Sequence, residues 1–377
     1  MTNPSSRRTV IFAGGGTGGH LFPGIAVAQE LLRRDTTTRI LFVGSEKPIE
    51  QEILRRAGFE HLALPSVSPT LTPSKFLPSL INNWRAYRQA RKFLVQERPS
   101  VVVGLGGFAC VPPVLAARRR GVPIVLLEQN IVPGKAIRWL SRFADVVCLP
   151  WDEAACGFQK GTKTIVTGNP IRHEIATLSG ERPLKTNTLL VLGGSQGATT
   201  LNAFVTSAIK KLVGQSRLNN DATTLVGWRI VHQTGTVDVE AIRRCYESLR
   251  LEADVQPFLS DMAAQYRNAM CVISRAGATT LAELACASLP AILVPLPTSA
   301  HDHQRLNAKL FSDRNAVELV EQQTDSDSGV DDLCNQLALL LNDEGRRQQL
   351  CDGMTRFAKP HAASAVADAI EKIERTR

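Results

Sequence analysis

The chain has 377 residues, 44% of them hydrophobic, with 44 Lys and Arg against 35 Asp and Glu for a formal net charge of +9. That length supports about two domains with ordinary apolar cores. Eight cysteines with no C-x-x-C spacing and no histidine cluster argue against a zinc module and against a secreted disulfide framework, and favour a reducing compartment.

The positive charge is uneven. Residues 1–171 hold 22 Lys and Arg and 11 Asp and Glu, whereas residues 172–377 hold 22 and 24. A basic first half reads as attraction to a polyanion, with a solubilising surface as the plainer alternative. No aromatic-basic RNA motif or helix-turn-helix spacing stands out, so an anionic membrane is favoured over nucleic acid. The apolar run after Arg7 and Arg8 stops at glycines and is not a signal peptide. The longest uncharged stretch, Pro99–Ala117, is broken by Gly104, Gly106, Gly107, Pro112 and Pro113 and is too short to span a bilayer. A soluble or peripheral protein is expected.

Apolar runs recur at helix-plus-strand spacing: Val10–Phe12, Ile40–Val43, Val101–Val103, Ile124–Leu127 and Val146–Leu149. Amphipathic stretches such as Phe22–Arg34 and Lys135–Phe143 lie between them. The series restarts at Leu189–Leu192 and continues through Ile230–His232, Val255–Phe258, Val272–Ser274 and Ile292–Val294. This βα alternation predicts α/β architecture, with two doubly wound parallel-sheet domains facing across a cleft. The boundary falls near Gly168-Asn169-Pro170, giving domains 1–171 and 172–357, with a polar link through Ser179–Asn187. Gln322–Gly329 reads as an acidic loop, and Ala362–Arg375 as a helix with Val366, Ile370 and Ile373 on one face.

Each half carries a glycine-rich turn between a strand and a helix, a geometry that exposes backbone N–H groups and a positive dipole end. The first, Gly14–Gly19, satisfies G-x-G-x-x-G. A dinucleotide site would need an acidic residue at the end of the next strand, but Phe42-Val43-Gly44-Ser45 reaches Glu46 only afterwards, which lowers that reading. His20, where the helix begins, either acts as a base on a ligand or shapes the turn. A second glycine turn, Gly104-Leu105-Gly106-Gly107-Phe108, and the polar Glu128-Gln129-Asn130 end two further strands. The second half has Leu192-Gly193-Gly194-Ser195-Gln196-Gly197-Ala198, and later Ser274-Arg275-Ala276-Gly277-Ala278-Thr279-Thr280 with Glu283. Thr280 and Glu283 have capping-box spacing. The functional alternative puts a diphosphate on that helix N-terminus and ribose hydroxyls on the carboxylate.

Together these residues resemble the bacterial peptidoglycan glycosyltransferases that add N-acetylglucosamine to lipid I, making lipid II. The resemblance runs from about Val10 to Ala308. It rests on Gly-Gly-Thr-Gly-Gly-His at 15–20, Gly-x-Gly-Gly-Phe at 104–108, Glu-Gln-Asn at 128–130, Gly-Asn-Pro-x-Arg at 168–172 and Gly-Gly-Ser-Gln-Gly at 193–197. His-Gln-x-Gly at 232–235, Asp-Met-Ala at 261–263, Arg-x-Gly-Ala-x-Thr at 275–280, Glu283 and His-Gln at 303–304 complete the set. Cys110-Val111-Pro112 stands where the family more usually has Ser-Gly-Pro.

The resemblance implies a GT-B fold of two Rossmann-like domains, with the terminal segment 358–377 crossing back to the first. It implies that UDP-N-acetylglucosamine binds the second domain, with Ser195 on its phosphates, Leu259 at the uracil and Gln304 reading the sugar. Ala278, Thr279, Thr280, Leu281, Ala282 and Glu283 would hold diphosphate and ribose, with Arg275 adding charge. Arg172 and Asn130 would reach the nucleotide sugar across the cleft. Thr17, Gly18 and Gly19 would lie beside donor and acceptor, and Gly106 and Gly107 at the acceptor diphosphate. His20 is the expected general base and Glu128 the second choice. No cofactor and no metal are expected, since the one Asp-x-Asp, Asp325-Ser326-Asp327, lies in the acidic loop. The partners implied are UDP-N-acetylglucosamine, lipid I and the anionic cytoplasmic face of the bacterial inner membrane. Lys75, Phe76, Leu77, Leu80, Ile81, Trp84, Arg85, Arg88, Arg91 and Lys92 mix cations with large apolar groups as a docking face would. An amphipathic helix packed on its own domain would show the same composition. Oligomeric state is unassigned. The other readings are a different GT-B enzyme, such as a UDP-sugar epimerase or glycolipid synthase, and a membrane-binding protein without activity.

Overall fold

A computed structural model describes residues 8–16, 18–68, 73–181, 186–193, 199–218, 225–299, 302–322 and 328–376. The chain divides into two compact units, Met1–Arg172 with His361–Arg377, and His173–Pro360.

The first unit is built on seven strands: β1 Thr9–Gly14, β2 Arg39–Ser45, β3 Glu60–Leu64, β4 Val101–Gly106, β5 Ile124–Leu127, β6 Val146–Leu149 and β7 Thr164–Val166. They lie in the order β3-β2-β1-β4-β5-β6-β7, with every pairing parallel. Successive side chains leave a strand on opposite faces, so β1 feeds two cores. Val10 and Phe12 join Leu21, Ile25, Ala28 and Leu31 of the helix Gly18–Arg34. Ile11 and Ala13 join Ala86, Ala90 and Leu94 of the helix Pro73–Glu97 and Val114 and Ala117 of the helix Val111–Arg120. Phe12 stacks on Phe42 with ring centroids 5.1 Å apart.

The helix Ala362–Arg375 completes the first of these cores with Val366, Ala367, Ala369 and Ile370. Polar contacts fix its register. Glu374 accepts from Arg8 Nη2 at 2.6 Å and from Ser100 Oγ at 2.5 Å, and Arg34 donates to Asp368 at 2.7 Å and to Ser364 Oγ at 2.6 Å.

The second unit has six strands: β8 Thr188–Leu192, β9 Arg229–Gln233, β10 Glu252–Gln256, β11 Cys271–Ser274, β12 Ala291–Leu293 and β13 Glu318–Leu319. Their order is β10-β9-β8-β11-β12-β13, again parallel throughout. Leu189 and Val191 pack under Leu201, Val205 and Ile209 of the helix Thr199–Leu218 and Leu333, Leu337 and Leu340 of the helix Ser328–Asn342. The helix Ser328–Asn342 takes in Ser328 and Gly329 of the expected acidic loop; residues 323–327, with Asp325 and Asp327, lie outside the described residues.

The apolar runs correspond to the central strands of both sheets. Sequence patterning missed β3, β7 and β13, all at sheet edges, where Glu60, Thr164 and Glu318 dilute the apolar signal. It also set β10 too late, because Val255 and Phe258 drew the reading past the polar start at Glu252. An edge strand need not be apolar on both faces, so its pattern is weaker.

His232, one of the motif histidines, belongs to this core. Its Nδ1 lies 2.8 Å from Tyr246 Oη and its Nε2 3.2 Å from Asn202 Oδ1, while Asn202 Nδ2 donates to Thr234 O at 3.0 Å. Burial pushes the imidazole down to about 3, so it is neutral at pH 7. A histidine held below its unfolded pKa stabilises the fold fully above about pH 6.5 and progressively less as pH falls toward its folded value. Lowering the pH from 7 to 5 should therefore cost the native protein about 2 kcal/mol more than a His232→Gln variant, measured by urea unfolding at each pH.

Candidate active site

In each sheet the strand order reverses beside the first strand, between β1 and β4 in the first unit and between β8 and β11 in the second. Loops leaving two such neighbours diverge to opposite faces of the sheet and open a crevice at the strands' carboxyl ends, where ligands of doubly wound folds bind. The sequence motifs cluster at these two places.

In the first unit the turn after β1 meets the turn after β4. The register between them shifts at Ala13 and Gly14, where Gly14 pairs with Gly106. His20 sits in the first turn of the helix Gly18–Arg34, half-buried, and its ring lies over the β4 exit. A Cβ on Gly106 would come within 3.0 Å of His20 Cδ2 and 3.2 Å of Nε2, and one on Gly107 within 2.6 Å of Gly15 O. Gly107 also has a left-handed φ of 70°, a conformation that costs any residue with a side chain. Both turns are therefore glycine for a shared reason: the backbones and the imidazole occupy the space side chains would need. Gly18 is buried against Phe22 and Gly19 is exposed. Thr17 lies outside the described residues.

The β5 exit braces this arrangement. Gln129 Nε2 donates to Leu105 O at 3.0 Å and to Leu127 O at 3.3 Å, tying β4 to β5. Glu128 is buried and its two oxygens are committed. Oε1 accepts from Gln129 N at 2.9 Å and Asn130 N at 2.8 Å, and Oε2 from Gly134 N at 2.9 Å. Burial pushes this carboxyl upward against the pull of those donors. The geometry makes Glu128 the anchor of the loop that carries Asn130. The thiol of Cys110 donates to Gly107 O at 3.0 Å, and burial pushes it up to about 12, so it stays a protonated donor. A thiol in that place keeps the turn closed where a hydroxyl would also serve. The guanidinium of Arg172 lies 5.9 Å from the Phe22 ring centroid, next to the helix that bears His20.

In the second unit β11 ends at Ser274, and Arg275 follows it immediately. Its Nη1 donates to Val294 O at 3.0 Å and Pro295 O at 3.1 Å, and its Nη2 to Thr200 Oγ1 at 2.8 Å and Gln322 Oε1 at 2.9 Å. All four acceptors are neutral. Among the described residues no carboxylate pairs with this guanidinium, and its buried Nε has no hydrogen-bond partner. Burial without a counter-charge lowers its pKa to about 10, so it stays cationic at pH 7. A half-buried unpaired cation is costly unless an anion completes it.

The helix Ala278–Cys286 opens three residues further on. Its N-cap is Gly277, which supplies no side-chain cap. The capping box suggested by Thr280 and Glu283 is absent, because a box needs its hydroxyl at the N-cap and Thr280 lies within the helix. Ala278 and Leu281 face the core, while Thr279, Thr280 and Ala282 are half-buried. Glu283 is buried, and its Oε2 accepts from Tyr266 Oη at 2.9 Å. Tyr266 comes from the helix Met262–Asn268, which Asp261 caps by accepting from Ala264 N at 2.9 Å; this explains the Asp-Met-Ala motif. Gln304 Oε1 accepts from Leu296 N at 2.9 Å, closing the loop after β12. Leu259 is buried as a whole residue, whereas the adjacent Phe258 is exposed. Ser195 lies outside the described residues.

Sequence reasoning missed the brace of Gln129, the Thr200 and Gln322 partners of Arg275, and Glu50, whose carboxylate accepts from Gly16 N at 2.6 Å. Glu50 sits in a helix of ordinary amphipathic composition, and nothing in its local sequence marks it.

Two family models match the chain: the glycosyltransferase family 28 N-terminal domain over residues 10–149 and the family's C-terminal domain over residues 188–372. A UDP-N-acetylglucosamine–N-acetylmuramyl-(pentapeptide) pyrophosphoryl-undecaprenol N-acetylglucosamine transferase of Trichlorobacter lovleyi is 36% identical, covering 95% of this chain and 96% of its own. An enzyme of the same name from Citrifermentans bemidjiense is 41% identical over 83% of this chain and 86% of its own. The crystal structure of Acinetobacter baumannii MurG superposes with a TM-score of 0.74 at 30% identity, covering 97% of this chain and 99% of that one. The two parallel-sheet units are those of the GT-B fold, and the chain belongs to glycosyltransferase family 28, among its N-acetylglucosaminyltransferases of peptidoglycan synthesis.

Proposed function

We propose that the chain transfers N-acetylglucosamine from UDP-N-acetylglucosamine to the 4-hydroxyl of the lipid-linked N-acetylmuramoyl-pentapeptide, with inversion at the anomeric carbon. The observation that carries this reading is the unpaired Arg275 cation beside an uncapped helix N-terminus at the β8–β11 switch point. A nucleotide diphosphate supplies the missing anion and accepts from N–H groups at the start of this helix. As the glycosidic bond to UDP breaks, negative charge grows on the β-phosphate. Donors already fixed in place stabilise it without reorganising. Glu283 is positioned by Tyr266 to accept from ribose hydroxyls, and Gln304, in the first turn of the helix His303–Ser312, orients the sugar.

The acceptor hydroxyl forms the new bond to the anomeric carbon and gives up its proton to His20. Imidazole titrates near neutrality and suits this transfer. Glu128 acts on Asn130 and not on the proton, because its oxygens are occupied by backbone N–H groups. Gly106 and Gly107 receive the acceptor diphosphate.

The same reading places the chain on the cytoplasmic face of the inner membrane as a peripheral protein. No helix among the described residues is long and apolar enough to cross a membrane. The helix Pro73–Glu97 exposes Phe76, Leu77, Leu80, Ile81 and Trp84, with Trp84 57% accessible. The Arg88 guanidinium lies 4.8 Å from the Trp84 ring centroid. A groove of about 300 Å³ runs from Phe76 and Leu80 to Phe108 and Val111, and so begins one residue past Gly107. Mixed cations and large apolar groups bind anionic headgroups and acyl chains together.

The decisive experiment is transfer of labelled N-acetylglucosamine to a lipid I analogue, with and without EDTA; no product under either condition overturns the reading. His20→Ala should lower kcat by about 10²–10⁴ with UDP affinity little changed, and normal turnover would remove His20 from the mechanism. Arg275→Ala should weaken UDP binding by about 10- to 100-fold in calorimetry, the worth of a charge-assisted contact. Replacing Trp84, Arg85 and Arg88 together by alanine should reduce binding to anionic vesicles, at about 1 kcal/mol per lost cation.

A further inference from the structure

Glu50 lies in the helix Pro48–Arg56 with its side chain wholly buried. Its carboxylate accepts three hydrogen bonds: from Ser45 N at 2.8 Å, from Ser45 Oγ at 2.5 Å and from Gly16 N at 2.6 Å. Ser45 ends β2, and Gly16 belongs to the turn after β1. A buried carboxylate needs such donors to offset its lost hydration, and here they come from two adjacent strand exits.

The same carboxylate accounts for two glycines. A Cβ on Gly15 would run into Oε2, Cδ and Oε1 of Glu50, and one on Gly44 would come within 2.5 Å of Oε2. Neither Gly15 nor Gly44 has a left-handed φ. Bulk, and not backbone conformation, excludes a side chain there: the carboxylate at Gly15, and the carboxylate together with His61 Nε2 (2.8 Å from the Cβ) at Gly44. Gly15 in turn presents its carbonyl to the position beside Gly107. Two residues past Gly16 the helix that carries His20 begins. The turn thus runs over a buried anion, which holds Gly16 N–H away from any ligand and fixes the start of that helix.

We propose that Glu50 is the positioning residue of the acceptor-side glycine turn: its carboxylate sets the path of Gly15-Gly16 and, through them, the placement of His20 against Gly106 and Gly107. This rests on the acceptor role assigned to that turn above. Glu50 touches no substrate; it acts on the backbone that does.

A double-mutant cycle on the full chain, assayed with UDP-N-acetylglucosamine and a lipid I analogue, tests it. Gly15→Ala and Glu50→Ala are each expected to lower kcat about tenfold or more, while UDP affinity, a property of the second unit, stays within about twofold. In the double variant the methyl at position 15 enters the volume the carboxylate vacated. Its kcat should equal that of Glu50→Ala alone, a coupling of about tenfold between the two sites. Penalties that simply multiply, or wild-type kcat in Glu50→Ala, overturn the proposal. If Glu50→Ala does not accumulate folded, Glu50→Gln replaces it. The amide keeps the bulk but offers one acceptor oxygen to three donors. It should lower kcat in a chain that still unfolds cooperatively, and leave Gly15→Ala as harmful as in the native chain. Native kcat in Glu50→Gln overturns the proposal equally. Failure of the native chain to transfer sugar would strike at the reaction itself, so the two failures are distinguishable.

Discussion

The reversal of strand order beside β1 and beside β8 is the constraint on which the rest depends. Parallel strands buried on both faces leave their carboxyl ends as the place where loops part, and a parting of loops is where unpaired backbone N–H groups can face a ligand. Nearly every motif residue lies within a few positions of those two points. The glycines, His20 and the Glu128 loop surround one; Arg275, the Gly277 helix start and Glu283 surround the other.

The buried charges at these points are treated differently, and the difference carries the chemistry. Glu50 and Glu128 are satisfied by backbone donors, and Glu283 accepts from a tyrosine. The first two carboxylates hold loops in place. Arg275 has four neutral acceptors and no counter-ion among the described residues. Its environment leaves a cation with neutral acceptors alone, which is what the proposed diphosphate site draws on. The acidic residue that a dinucleotide site would place at the end of β2 is replaced by Glu50, which turns back into the protein to grip the glycine turn.

The two cores of the first unit serve the site indirectly. One is closed by the C-terminal helix, whose Glu374, Asp368 and Ser364 bind Arg8, Ser100 and Arg34. The helix that starts at Gly18 is packed between β1 and this closing helix, so the element bearing His20 rests on a complete apolar face. The other core lies under the helix Pro73–Glu97, which turns Ala86, Ala90 and Leu94 inward and Leu77 and Trp84 outward.

The sequence by itself determined the class of fold, the central strands and the positions of the glycine turns, because apolar runs and glycine spacing are local signals of burial and backbone approach. It also carried the set of motifs that mark the family. Edge strands β3, β7 and β13 were lost to it, since a strand paired on one side can be polar. Only the tertiary structure decided which polar groups of the motifs are taken up by the protein's own backbone and core. Glu128, the second candidate for the base, accepts from three backbone N–H groups, and His232, one of the motif residues, is a neutral core histidine. Glu50 looks like a solvated helix residue, yet it lies under the glycine turn. Hydrogen-bond partners separated by tens of residues set these roles, and no local pattern encodes them.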